Sequence, residues 1–203
     1  MTGTTPSGPP VRRVRIDALP AVASVLADAL HGGDLASWLV PDPARRAEIY
    51  PGYLGMLAEP LLTHGYVNMI GDDAVACWIH LDRRPPPEPD GYPARLRAVC
   101  GPDHPRFADL DAAIALNHPL DRPHTYLAFL AVRPAAQRRG LGSALLGATH
   151  AHLDQLGVPA YLEATGDRNR ALYRRHGYTD YGAPFPVTRG GPLLYPMWRD
   201  PRT

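Results

Sequence analysis

The residues best able to do chemistry fall in the second half of the chain. Gln137 to Gly142 reads QRRGLG, directly after the apolar run TYLAFLAVRP and directly before an amphipathic stretch. In that order of strand, turn and helix, Gly140 and Gly142 permit a tight turn and a close backbone approach that a Cβ would obstruct. N–H groups converge where the helix starts, and the helix dipole favours negative charge at the same point. Leu141 and Ser143 lie on this backbone, and Arg138 and Arg139 bring a fork of charge suited to a pyrophosphate or a sugar phosphate. Glu163 sits inside a second apolar run, PAYLEAT. A carboxylate there is costly unless it is satisfied or used. It is either a general base or a structural acid bound to a neighbouring loop or to Arg168. His124 opens the first run, and its ordinary pKa suits proton relay. The alternative for His124 is a solvated strand end after Pro123.

Other chemistries are excluded or disfavoured. All 21 basic residues are arginine, so lysine Schiff bases and a Walker-type phosphate loop are ruled out. The dinucleotide fingerprint GxGxxG should follow a first strand and be answered by an acid about twenty residues on. Here the turn is QxxGxG, comes late, and Glu163 lies within the next strand. Cys77 and Cys100 are too few and too unpatterned for a disulfide framework or a zinc site, and the histidines show no ligand spacing, so no metal is expected. Net charge is +1, with no basic stripe interleaved with aromatics, which argues against a nucleic-acid partner. Charge is nevertheless divided: residues 1–123 hold 11 Arg against 15 acids, and residues 124–203 hold 10 Arg against 5. That division suits an anionic cofactor at one end and a cationic acceptor at the other, or reflects uneven solvated faces. No apolar run reaches membrane-spanning length and MTGTTPSGPP lacks a signal-peptide core, so a cytoplasmic protein with reduced thiols and a disordered leader at 1–10 is expected.

The elements that must position these residues are legible in outline. At 203 residues one domain, 11–203, is expected. Val11 to Ile16 alternates as a first strand, Asp17 stands as a helix cap, and Leu19, Val22, Ala23, Leu26 and Leu30 recur at helical spacing up to Gly32 and Gly33. A turn holding Asp34 and Trp38 follows, then a helix over Ala44 to Leu62 that Pro51 and Pro60 should interrupt or kink. Tyr66 to Ile70 and Ala74 to Leu81 around GDD form a hairpin. Arg83 to Pro93 is a proline-rich loop. Arg106 to Asn117 and Leu141 to Leu156 read as helices, Ala160 to Ala164 as a strand, Asn169 to Arg175 as a short helix, and Tyr178 to Phe185 and Leu193 to Trp198 as closing strands.

FLAVRP, then QRRGLGSALL, YLEAT and NRALYRRHGY together resemble the GNAT superfamily of acetyl-CoA dependent N-acetyltransferases. The family's pattern of Gln or Arg, two residues, Gly, one residue, Gly or Ala is matched at Gln137, Gly140 and Gly142. LEAT, the pair Arg168 and Asn169, and the ending GPLLYPMWR are similar to puromycin N-acetyltransferase and its relatives. The resemblance implies an α/β (α+β) fold with a mixed, mostly antiparallel central sheet flanked by helices, whose splayed central strands hold acetyl-CoA. It implies that the backbone of Leu130, Ala131 and Val132 pairs with the pantetheine arm and that Gln137 to Ser143 hold the pyrophosphate. Asn169 would contact the cofactor, and Tyr173 would stand near the thioester sulfur to protonate or hydrogen-bond the departing thiolate. Glu163, or else His124, would deprotonate the acceptor amine.

Direct acetyl transfer to a primary amine of a small molecule, such as an aminonucleoside or another antibiotic-like compound, is the function this implies. A different acyl donor, or a coenzyme A responsive regulatory module, are the alternatives. Asp34, Trp38, Tyr50, Tyr53 and Trp78 are candidate walls for a planar cationic acceptor, or simply core aromatics. No membrane or nucleic-acid partner is expected, and the chain is a monomer or a homodimer.

Overall fold

The computed structural model of the protein describes residues 10–202; the leader expected at 1–10 lies outside them except for Pro10. Alternating apolar residues make the first hairpin, β2 (Tyr66–Ile70) and β3 (Ala74–Leu81), around a turn in which Gly71 takes φ +51°. β1 (Arg12–Val14) adds to its outer edge and β4 (His124–Val132) to its inner edge, all antiparallel. β5 (Ala160–Ala164) runs parallel to β4, and β8 (Leu193–Arg199) antiparallel to β5. The short β6 (Thr179–Asp180) and β7 (Phe185–Pro186) both pair with β8. The result is the mixed, mostly antiparallel sheet that the sequence implies, in the order β1-β2-β3-β4-β5-β8-β6.

One irregularity opens the sheet. Cys77 pairs with Phe129 but Trp78 pairs with Leu127, so Ala128 is an extra residue in β4. Such a bulge bends its strand and sharpens the local twist. β4 and β5 are accordingly paired only at Thr125 with Ala160 and at Tyr126 with Tyr161. Beyond Tyr126 the two strands separate and leave one edge of β4 without a strand neighbour.

Helices cover both faces. On one side α1 (Leu19–Leu30), α2 (Asp34–Leu39), α3 (Pro43–His64), α4 (Tyr92–Cys100) and α5 (His104–Asn117) close over Val75, Cys77, Ile79, Tyr126 and Tyr161. On the other, α6 (Leu141–Leu156) and α7 (Asp167–Arg175) cover Ala76, Trp78, Leu127, Leu162 and Ala164. Each large apolar side chain so buried contributes about 1.5–3 kcal/mol.

Several expectations are corrected. Asp17 lies in a 3₁₀ turn (Ile16–Ala18) and makes no cap; Ala18 precedes α1 instead. Asp34 to Trp38 is helical. α3 runs unbroken through Pro51 and Pro60, opened by Asp42, whose carboxylate accepts the Ala44 N–H at 3.1 Å. α4 is unforeseen: it begins inside the proline-rich stretch, with Gly91 in the left-handed region and Pro93 in the first turn, where a missing N–H costs nothing.

Candidate functional site

The separation of β4 and β5, the start of α6 and the inner side of α7 enclose a cavity of about 700 Å³. Its floor is Leu130, Ala131 and Val132, the strand segment after the bulge. One wall is Gln137, Arg138, Gly140, Leu141, Gly142 and Ser143. Gly140 sits just before α6 at φ +81° and Arg138 at φ +64°, so the turn curls back over the helix start. The Leu141, Gly142 and Ser143 N–H groups precede the first backbone bond of α6, which Ala144 donates to Gly140; they are the helix's free donors. Gly140 therefore answers a backbone need, whereas a Cβ on Gly142 would meet Leu130 and Val132 at an ordinary 3.8 Å.

Side chains tie this wall to the rest of the site. The Gln137 amide donates to the Val132 carbonyl at 3.2 Å and its Oε1 accepts from Arg168 at 3.3 Å, joining the end of β4 to the start of α7. Ser143 Oγ is 3.0 Å from His176 Nε2. Arg138, Arg168 and Arg175 line the cavity, which gives it a cationic rim. Arg139, expected beside them, is outside the lining and reaches Asp73 at 3.5 Å. Arg168 was visible in the sequence only as a neighbour of Asn169 and a possible partner of Glu163, and Arg175 only as a helix end; their i, i+7 spacing on one helix face was the available signal. Asn169 lines the cavity and donates to Thr165 Oγ1 at 3.1 Å.

Tyr173 also lines the cavity, 8% exposed, with its ring edge-on to Tyr178 at 5.7 Å. Burial pushes its hydroxyl well up from the ordinary tyrosine value, so it is protonated and available as a donor.

Glu163 lies on the opposite sheet face from α6 and α7. Its side chain is 4% exposed, and Oε1 stands 3.5 Å from Nδ1 of His118, itself 2% exposed. The separation of Glu163 from Arg168, which is engaged with Gln137, corrects the pairing considered above. His124 is fully buried. It is not a solvated strand end: Nε2 lies 3.1 Å from His118 Nε2, and Nδ1 donates to the Arg122 carbonyl at 3.1 Å. Burial brings its pKa down to about 4. His118, the residue after α5, is thus a functional candidate that sequence spacing did not reveal. Tyr126 and Tyr161 flank it at ring distances of 4.8 and 5.1 Å, and burial, followed by the Glu163 charge, pushes both hydroxyls up.

The five candidate acceptor walls do not converge. Trp78 is fully buried beneath α6 on the far face, stacked on Tyr66 at 6.3 Å, because the period-two pattern of β3 turns it that way; it cannot be a wall. Tyr53 packs edge-on against Phe107 at 4.5 Å in the core. Tyr50 borders a separate groove of about 680 Å³ between α1 and α3, where burial pushes its hydroxyl up to about 12. Trp38 lies half-buried beneath the Arg106 guanidinium at 5.6 Å, and Asp34 is exposed at the start of α2. Among the described residues no group of His, Cys, Asp and Glu could hold a metal, and no helix is long and apolar enough to cross a membrane.

Solved structures share this architecture. One from Corynebacterium glutamicum ATCC 13032, described as histone acetyltransferase HPA2 and related acetyltransferase, is 25% identical over 97% of this chain and 98% of its own, with a TM-score of 0.74. Arylalkylamine N-acetyltransferase 2 from Aedes aegypti is 15% identical over 95% of this chain and 99% of its own, with a TM-score of 0.65. A polyamine N-acetyltransferase from Drosophila melanogaster, described as forming N-acetylagmatine, is 17% identical over 93% and 96%, with a TM-score of 0.58. The last two establish likeness of fold alone. The family model described as Acetyltransferase (GNAT) family matches residues 73–178, which span β3, the bulged β4, the glycine turn, Glu163 and Tyr173; the chain belongs to the GNAT acetyltransferase family.

Proposed function

We propose that this protein transfers an acetyl group from acetyl-CoA directly to a primary amine of a small molecule. The observation that carries the reading is that the start of α6 with its free N–H groups, the three arginines, the unpaired edge of β4 and Tyr173 all border one cavity. Those features fit a coenzyme A ester in turn: donors and cations for the pyrophosphate, strand amides for the pantetheine arm, and a proton donor for the sulfur. Bound there, acetyl-CoA would supply an activated acyl carbon and a thiolate leaving group. The residues' part is to hold, orient and move protons. Gln137 to Ser143 with Arg138, Arg168 and Arg175 would hold the phosphates, and Leu130 to Val132 and Asn169 would align the arm. Tyr173 would donate its proton to the departing sulfur, and Glu163 would accept one from the amine. An amine acceptor is in keeping with the arylalkylamine and polyamine acetyltransferases of similar fold, and an aminonucleoside is the acceptor the puromycin acetyltransferase resemblance implies.

The test is an acceptor screen of aminonucleosides, aminoglycosides, arylalkylamines, polyamines and amino acids with acetyl-CoA, following thiol release, beside calorimetry of acetyl-CoA binding. Transfer to one class and not the others is expected. In Gly140→Asp, the φ of +81° strains any Cβ and a carboxylate faces the phosphates. A roughly 30-fold or greater loss of affinity is expected from two effects worth ~1 kcal/mol or more each. Equal affinity in a folded variant overturns the assignment of the turn.

A further inference from the structure

We infer that Glu163 and His118 form a single proton-holding pair, with His118 the positioning residue that makes the carboxylate an effective base. The pair itself stands on geometry and on a neutral, buried His124; its consequence for turnover rests on the acetyl-transfer reading above.

The argument is a count of protons along the buried chain from Glu163 to Arg122. A carbonyl oxygen can only accept, so His124 Nδ1, 3.1 Å from the Arg122 carbonyl, carries a hydrogen. His124 is neutral near pH 7, since burial brings it down to about 4. Its Nε2 is therefore a bare acceptor. His118 Nε2, 3.1 Å away, must donate to it. A neutral His118 with its hydrogen on Nε2 then presents a bare Nδ1 to Glu163 Oε1 at 3.5 Å. Neither of those two atoms has a hydrogen-bond partner in the structure. With no proton between them, a lone pair faces a carboxylate in a dry site. With one proton, on either atom, both become paired. The two groups thus hold one proton as a unit, between Oε1 and Nδ1.

Hydroxyl donors also face the carboxylate, whereas His118 Nδ1 has no partner. Around His118 and Glu163 stand the hydroxyls of Tyr126 on β4 and Tyr161 on β5, both kept protonated by burial. Beyond His124 lie His80 of β3 and Arg122, whose guanidinium is stacked over Trp198 at 3.9 Å and lies 5.5 Å from the Tyr181 ring. On the cavity side is Tyr173, also protonated. Among the described residues His118 is the sole ion-pair partner of Glu163.

In the reaction, the N–H bond of a substrate ammonium breaks, its proton goes to the pair, and the nitrogen keeps the electron pair with which it attacks. The ammonium loses one proton and Glu163–His118 gains one, stored between Oε1 and Nδ1 until it returns to water with product release. His124 keeps the bare nitrogen of His118 aimed at the carboxylate by accepting from the other one.

Imidazole nitrogen NMR on the full chain, free of ligand, reads the pair directly, in wild type and in Glu163→Gln. Expected for wild type is a His118 hydrogen on Nε2, and proton uptake at Nδ1 at a pH at least about one unit above that in E163Q, where the carboxylate is gone. Coincident titrations, or a neutral His118 with its hydrogen on Nδ1, overturn the pair. His118→Phe keeps a ring between Tyr126 and Tyr161 and removes both nitrogens. It should lower kcat about 10-fold or more and move the acid limb of the rate profile to lower pH, with acetyl-CoA affinity by calorimetry unchanged. A wild-type profile in a folded H118F also overturns the inference. A wild type that acetylates no amine would instead overturn the acetyl-transfer reading, and the NMR titration would still decide whether the pair exists.

Discussion

Tyr173 is a residue whose packing and chemistry can be separated by one atom. Its ring contributes to the core against Tyr178 while the residue lines the cavity. Tyr173→Phe therefore keeps the burial and deletes the donor. Under conditions where transfer limits the rate, turnover with acetyl-CoA should fall roughly 10- to 10³-fold, with calorimetric affinity nearly constant and the loss smaller for a donor whose leaving group is a weaker base. Equal rates at saturation would return the residue to packing. Residues such as Gln137, Gly140, Ser143 and Asn169 were legible because the turn and the flanking helices put them together locally, and the cavity gathers them. Glu163 was legible only as an acid needing a reason. Its partner His118 lies 45 positions earlier in the chain, and nothing in local spacing reports a contact made by a helix end folding over a strand. Trp78 failed as an acceptor wall for a similar reason: its strand was foreseen, but which sheet face α6 would cover was not.

At the scale of elements, strands and helices with a clear period were readable; where proline intervenes, the helix over Ala44 to Leu62 was read but expected to break or kink, and α4 was missed. α4 was hidden by RRPPPEPDGYP, although Pro93 in a first helical turn is permitted. The bulge at Ala128, which creates the cleft, has no signature in an apolar run such as TYLAFLAV, because one inserted residue leaves the composition unchanged. α3 is the clearest override of propensity, since a proline inside a helix removes a backbone bond and costs up to about 3 kcal/mol. Its buried face, including Ile49, Tyr50, Tyr53, Leu54 and Leu61, holds the helix together from outside. Pro51 is solvent-exposed and Pro60 buried. Pro51→Ala should restore the missing bond without opening a cavity and stabilise the fold by about 1 kcal/mol or more. That corresponds to roughly 2–4 °C in melting temperature for a chain of this size. A lower melting temperature would mean that the ring's contacts along the α1–α3 groove outweigh the lost hydrogen bond. Pro60→Ala, which removes buried ring atoms, should gain less.

For the whole molecule, the division of charge along the chain has a structural counterpart: Arg138, Arg168 and Arg175 at the cavity all come from the arginine-rich part. Net charge is near zero, so response to acid depends on individual buried groups more than on global repulsion. His124 and His150 are both buried, with pKa values brought down from 6.5 to about 4 and about 3. Between pH 6.5 and these values the unfolded chain binds more protons than the folded one, so stability falls as pH falls through that window. Asp111 has the opposite sign. Burial pushes its carboxyl up from 3.8 to about 6, even though it accepts the Tyr92 hydroxyl at 2.6 Å; acidification from about 6 to 3.8 relieves a cost and offsets part of the loss. Asp154, paired with Arg199 at 2.7 Å and held at about 2, enters only below 3.8. Melting temperature should therefore decline from pH 7 downward and keep declining below pH 6, where Asp111 offsets part of the histidines' loss. Each tenfold difference in proton affinity is worth ~1.4 kcal/mol, so His124 alone accounts for at most about 3 kcal/mol of the loss. His124→Gln, whose amide oxygen can still accept the His118 Nε2 hydrogen, should flatten the decline, and Asp111→Asn should steepen it below pH 6. The measurement is calorimetric melting of the three proteins across that range. Parallel curves for wild type and H124Q would mean that acid enters the fold elsewhere and that the buried histidines are protonated without cost.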